Sequence, residues 1–130
     1  MNVKIDTKEK FTVLSPTMDE MTAKMSVEMQ QLMESHLKKD IPHLILNMSH
    51  VAILSDKAAE MIFNVQKGFY ENGFSFVICS LNQQPLEKIK ELNLISQLNI
   101  TPSESEAWDI VQMEEIEREL LADFDQHEDS

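Results

Sequence analysis

The chain is poor in residues on which several kinds of protein depend. Two of its 130 residues are glycine, Gly68 and Gly73, against roughly nine at an average usage near 7%. A backbone that wraps a phosphate needs closely spaced glycines, so Gly-rich nucleotide loops are excluded. The single cysteine, Cys79, cannot close an internal disulfide and points to a reducing compartment, the cytoplasm by default. It is expected as a small buried residue of an apolar strand rather than a reactive thiol. His36, His43, His50 and His127 are scattered without the paired spacing of a zinc site, so neither a metal nor a cofactor is expected. Gly-x-Ser-x-Gly, Ser/His/Asp spacing and paired inward carboxylates are all missing, which argues against an enzyme. No apolar run is long enough to span a bilayer. The opening MNVKIDTKEK alternates polar and apolar residues and does not read as a signal peptide.

Basic residues are scarce as well: 11 Lys and Arg against 23 Asp and Glu, a net charge of −12. That balance excludes nucleic acid or an anionic membrane bound through a broad charged face. The charge is concentrated. Residues 103–130 hold eleven acids and one base, Arg118, so this segment carries −10 and the preceding 102 residues carry −2. The length suits one domain, here expected over 1–122, with 123–130 as an acidic, frayed tail.

Periodicity supplies the elements. Val3–Asp6 and Phe11–Leu14 read as two strands joined by a polar turn, the second stopped at Ser15-Pro16. A helix is expected over about 20–38, capped by Asp19 or Thr22, with Met21, Met25, Met29 and Met33 four residues apart on the face that packs on a sheet. The near-continuous apolar run His43–Met48 reads as a strand buried on both sides, followed by a loop over 49–54. A helix from Ser55-Asp56-Lys57 to about Tyr70 lays down Ala58, Ala59, Ile62, Phe63 and Gln66 and stops at Gly68 and Gly73. Phe74–Cys79 is a second buried strand, which completes a βαβ unit. Pro85 suits the first position of a short helix ending near Asn93, Leu98–Ile100 a small edge strand, and Thr101–Glu104 the cap of a last helix over about 104–122. In that helix Ala107, Trp108, Val111 and Ile116 are expected to cover the body, and the end beyond Arg118 to be solvated. The acidic end would either be a solvent-facing charge run, steer a basic partner or shield the domain from self-association. The fold class is α/β, a mixed β-sheet of about five strands with helices packed mainly on one side.

The run Leu44–Asp56 resembles the signature of STAS domains, the fold of bacterial anti-sigma-factor antagonists. There an apolar strand ends in Asp-Leu, then comes Ser-x-Val-x-x-Ile, then an Asp-Ser-Ser/Thr-Gly step that opens a helix. Gly73 before a buried strand, Leu92-Asn93-Leu94 at a helix end and Ser103-x-x-Glu106-Ala107-Trp108 resemble later parts of the same pattern. The resemblance covers about residues 3–120 and implies a STAS-like sheet and a non-catalytic, protein-binding role. In the family, the hydroxyl residue after the aspartate is the phosphoacceptor of a kinase-type anti-sigma factor. Aligned on Val51 and Ile53-Leu54, Ser55 takes the place of the aspartate, Asp56 of the phosphoacceptor, Lys57 of the following hydroxyl and Ala58 of the glycine. Asp56 cannot accept that phosphate. A carboxylate at a helix N-terminus is favoured by the dipole and the free N–H groups, so Asp56 is either a helix cap or a permanent, weaker imitation of the phosphorylated state. Ser55 is an N-cap or a phosphosite shifted by one residue.

The resemblance implies partner binding through His50, Ser55, Asp56 and Lys57, with an anti-sigma factor or serine-kinase-like protein as the partner. His50 would otherwise be surface loop. The alternative is a STAS-like structural subunit of an ABC lipid-transport or stress-signalling assembly. Small-molecule binding has only the fold to support it.

Overall fold

The computed structural model describes the backbone of residues 2–128 and the side chains of residues 2–123. Its strands are β1 (Val3–Thr7), β2 (Thr12–Pro16), β3 (Glu20–Met21), β4 (Leu44–Asn47), β5 (Ile53–Leu54), β6 (Phe76–Cys79) and β7 (Ile100–Thr101). Its helices are α1 (Ala23–Ser35, followed by a 3₁₀ turn over His36–Lys38), α2 (Asp56–Glu71), α3 (Gln83–Glu91) and α4 (Glu104–Glu128). The main sheet has the order β1-β2-β4-β6-β7, antiparallel between β1 and β2 and parallel elsewhere. This is the expected mixed sheet of five strands.

Period-two alternation sorts the strand residues into two layers. Leu14, Leu44, Leu46, Phe76 and Ile78 face a core shared with Met29 and Met33 of α1, Ala59, Ile62 and Phe69 of α2, and Ile89 of α3. Val13, Ile45, Val77 and Cys79 face the other way, with Phe11, onto Ala107 and Val111 of α4. Three helices thus cover one face and α4 the other. Both central strands are buried throughout except Asn47 at the end of β4, as their unbroken apolar sequence requires.

Local chemistry explains where the elements depart from expectation. Residues 20–21 are strand, not helix: Thr22 is the N-cap, its hydroxyl accepting from the N–H of Met25 at 3.4 Å. Glu20-Met21 pairs in parallel with Ile53-Leu54, so the expected loop 49–54 contains a strand. The helical turns after Ser35 are 3₁₀. Pro16 ends β2, as expected, but as its last paired residue. It lies opposite Val3, between the Thr17–Asn2 hydrogen bond and the rest of the ladder, and its missing N–H would point beyond the reach of β4, which pairs only with Thr12–Leu14. Pro85 is the third residue of α3, not the first, still within the turn whose N–H groups need no partner. Gly68 lies inside α2, and Gly73 alone stops it: at φ +78° its N–H reaches Tyr70 O while Phe74 N–H reaches Phe69 O, a Schellman closure. Asn93, at φ +59°, closes α3 identically through Lys90 and Ile89.

The small strand β7 spans Ile100–Thr101, starting two residues later than the expected Leu98–Ile100 and overlapping it at Ile100. Ile116 does not cover the body; it is 56% exposed. Trp108 does dock α4, stacking on Phe11 at 4.6 Å between ring centroids. The backbone of α4 continues to Glu128, past the expected end near residue 122; the side chains beyond residue 123, His127 among them, lie outside the described residues.

Candidate functional site

The segment 49–57 leaves β4 at the C-terminal end of the parallel strands, where open α/β sheets place their sites. It then turns back to open α2. Its backbone is held on three sides. The Asp19 carbonyl accepts from Ala52 N at 2.7 Å and Ile53 N at 3.0 Å, and Met21 O accepts from Ser55 N at 3.1 Å. The Asn82 amide donates to Ser49 O and Val51 O, both at 2.9 Å. Gln84 brackets Leu54, its Oε1 accepting from Leu54 N at 2.7 Å and its Nε2 donating to Leu54 O at 3.3 Å. Upstream, Asn47 Oδ1 accepts from Ser49 N at 3.0 Å, and Asn47 Nδ2 donates to Glu104 at the start of α4 at 3.2 Å. Val51 and Leu54 are buried beneath the segment, while His50, Ala52, Ile53, Asp56 and Lys57 are exposed. The outcome is a fixed backbone that presents a small mixed surface, with Ile53 at its apolar centre, 44% exposed.

The start of α2 divides two roles between adjacent residues. Ser55 is the N-cap, with extended φ and ψ and its Oγ accepting from Ala58 N at 3.1 Å. Asp56 is therefore not the cap but the first helical residue. Its carboxylate lies in the favourable field of the helix N-terminus and meets Lys88 Nζ of α3 at 2.8 Å. Lys88 also meets Glu91 at 3.2 Å, and its hydrogen bonds to Asp56 and Glu91 hold its pKa above the ordinary lysine value. The Asp56 charge is thus paired and shared, one cation between two carboxylates.

Of the expected site residues, Ser55, Asp56 and Lys57 share the first turn of α2. His50 stands in the same segment, its Nδ1 3.5 Å from Ser49 Oγ. Sequence reasoning missed Asp19, Asn82, Gln84 and Lys88. Their chain separations from the segment leave no local signal.

The remaining reactive side chains serve the fold. Burial pushes the Cys79 thiol up to about 11, so it stays protonated and weakly nucleophilic. His43 is buried at the other end of β4. Its Nδ1 accepts from Ser75 N at 3.0 Å, and desolvation lowers its pKa. Among the described residues, no three His, Cys, Asp or Glu side chains are grouped to hold a metal ion, and no helix is long and apolar enough to cross a membrane.

The sequence profile of the STAS domain matches residues 2–107. No curated protein sequence matches the chain. Solved structures match its fold. A Thermotoga maritima protein assigned provisionally as an anti-sigma factor antagonist has 19% identity and a TM-score of 0.75, covering 85% of this chain and 94% of its own. An anti-sigma factor antagonist from Mycobacterium paratuberculosis has 14% identity and a TM-score of 0.75, covering 85% and 93%. A chain from the molecular architecture of the stressosome, a signal integration and transduction hub, has 9% identity and a TM-score of 0.64, covering 84% and 96%.

Proposed function

The chain belongs to the STAS domain family, and from that premise we propose that it is a non-catalytic binding domain that engages an anti-sigma factor or serine-kinase-like protein through residues 50–57. The observation that carries this reading is the combination of exposure with fixation. Ala52, Ile53, Asp56 and Lys57 face solvent, yet the backbone beneath them is pinned by Asp19, Asn82 and Gln84. A surface already in its bound shape loses little conformational freedom on association. Burying Ile53 supplies the apolar centre of such a contact, and Asp56, Lys57 and His50 supply its polar rim.

Asp56 replaces switching by constancy. Phosphate would bring about −1.5 to −2 to this position; Asp56 brings a permanent single charge, reduced in reach by Lys88. The protein then binds its partner in one fixed state. The test is affinity capture with the full chain, the partner identified by mass spectrometry and its binding then titrated. Ile53→Ser and Asp56→Ala should each weaken a kinase-like partner about tenfold, roughly 1.4 kcal/mol. Recovery of no such partner, or unchanged binding by both variants, refutes the reading. Incubating the chain with that partner and ATP should leave Ser55 unlabelled; a phosphate on Ser55 would restore a switch one residue earlier.

A second reading has its own support in the structural similarity to a stressosome chain: a structural subunit of a stress-signalling assembly. It predicts co-purification in a large particle rather than a binary complex. For an ABC lipid-transport assembly there is only the shared fold.

A further inference from the structure

The last helix has two apolar sides, and only one is used. Ala107 and Val111, four residues apart, are fully buried against the sheet. Met113, Ile116 and Leu120 are spaced by three and four residues, which at 3.6 residues per turn places them in one stripe. That stripe lies on the side of α4 directly away from Ala107 and Val111. Their exposures are 59%, 56% and 63%. A stripe of large apolar residues on a solvated helix face is a recognition pattern for a second helix.

The surrounding charge says what kind of helix. Glu106, Asp109 and Glu117 lie on the same outer side, and every one of residues 119–123 is exposed, Glu119 and Asp123 among them. The one basic residue of α4, Arg118, is turned inward, its guanidinium 5.9 Å from the centre of the Tyr70 ring. The outer face is therefore apolar from Met113 to Leu120, with acids beside it at Glu106 and Glu117 and on its own line, before Met113, at Asp109. A second copy would oppose acid to acid across the contact; a basic partner turns the same charges into attraction. The stripe begins beyond residue 107, where the family profile ends, and α4 lies on the sheet face opposite α1, α2 and α3.

We propose that Met113, Ile116 and Leu120 form a second docking surface, whose occupant is a basic amphipathic helix of another protein. This goes beyond the binding role of residues 50–57. Because the surface lies on the opposite face of the sheet, the domain can hold two partners at once.

The test uses the full chain and a fluorescein-labelled synthetic helix of about 18 residues, long enough to be helical, with leucines on one face and lysines on the other. Fluorescence anisotropy should report micromolar binding that weakens between about 0.02 and 0.3 M salt. Met113→Gln, Ile116→Gln and Leu120→Gln together leave the charge unchanged and keep a good helix former at each position; they should weaken binding at least about tenfold. Glu106→Gln, Asp109→Asn and Glu117→Gln together should weaken binding and flatten the salt dependence. Ile53→Ser with Asp56→Ala should leave it intact, which separates this surface from the other. Three results overturn the proposal: no binding, equal binding by the triple glutamine variant at the apolar positions, or a concentration-dependent dimer in light scattering that this variant abolishes.

Discussion

His36 shows what a single residue can cost a fold. It is 1% exposed, and neither ring nitrogen has a hydrogen-bond partner among the described residues. Desolvation, with a smaller contribution from Lys39, lowers its pKa below the ordinary 6.5. Folding therefore favours the neutral ring. The stability this contributes is present above about pH 6.5 and is lost as the pH falls towards the folded-state value. His36→Leu removes two unsatisfied polar atoms while keeping much of the volume. It should raise stability by about 1 kcal/mol at pH 7 and more at pH 5, read from urea denaturation at both values. An equal or lower stability at pH 7, or an unchanged pH slope, would contradict this account. His43 shares the direction of shift, so part of the acid sensitivity should survive the substitution. His36 was visible in the sequence only as a histidine without a metal-binding neighbour. Its burial comes from the 3₁₀ turn that ends α1, and no local pattern announces that.

At the scale of elements, helix ends were partly legible and short strands were not. Gly73 was read correctly as a stop because left-handed backbone favours glycine. Gly68 was read wrongly for the same reason, since glycine marks permission and not obligation. The two Schellman closures allow a direct comparison. A Cβ on Gly73 would meet nothing within 4 Å, so Gly73→Ala should cost only the backbone term, about 1–2 kcal/mol. Asn93→Gly, at φ +59°, should cost nothing or stabilise slightly. Thermal unfolding of both variants checks the pair, and a neutral Gly73→Ala would mean that the closure shifts to accommodate it. The pairing of β3 with β5 escaped notice because two-residue strands have no periodicity to read. Their partners, Glu20-Met21 and Ile53-Leu54, are brought together by the packing of α1 against α2 and by Asp19 O.

Across the whole molecule, α4 is tied to the opposite layer around an open sheet edge. β7 pairs only with Ile78 and Cys79, which leaves the Phe76 carbonyl without a strand partner on that side. Tyr70 of α2 reaches it with its hydroxyl at 3.5 Å and also meets Glu114 of α4 at 2.7 and 3.0 Å, while Asn99 completes the cluster. Burial and the Glu114 carboxylate push the Tyr70 pKa up, so the hydroxyl keeps the proton it donates. Tyr70→Phe should cost about 1.5–3 kcal/mol in denaturant unfolding, the usual scale for hydrogen bonds to a charged group, with far-UV circular dichroism unchanged. A cost near zero would mean that water replaces the cluster freely. The sequence by itself determined the sheet, the βαβ unit and the helix order, because period-two and period-3.6 apolar patterns are local properties of the chain. It also showed an acid, Asp56, directly after Ser55 at the expected start of a helix. Only the tertiary structure decided that Ser55 is the cap, that Lys88 answers Asp56, and that Ile116 faces out. Each of these depends on which distant side chain arrives beside it, and that is set by packing the two faces of the sheet, not by spacing along the chain.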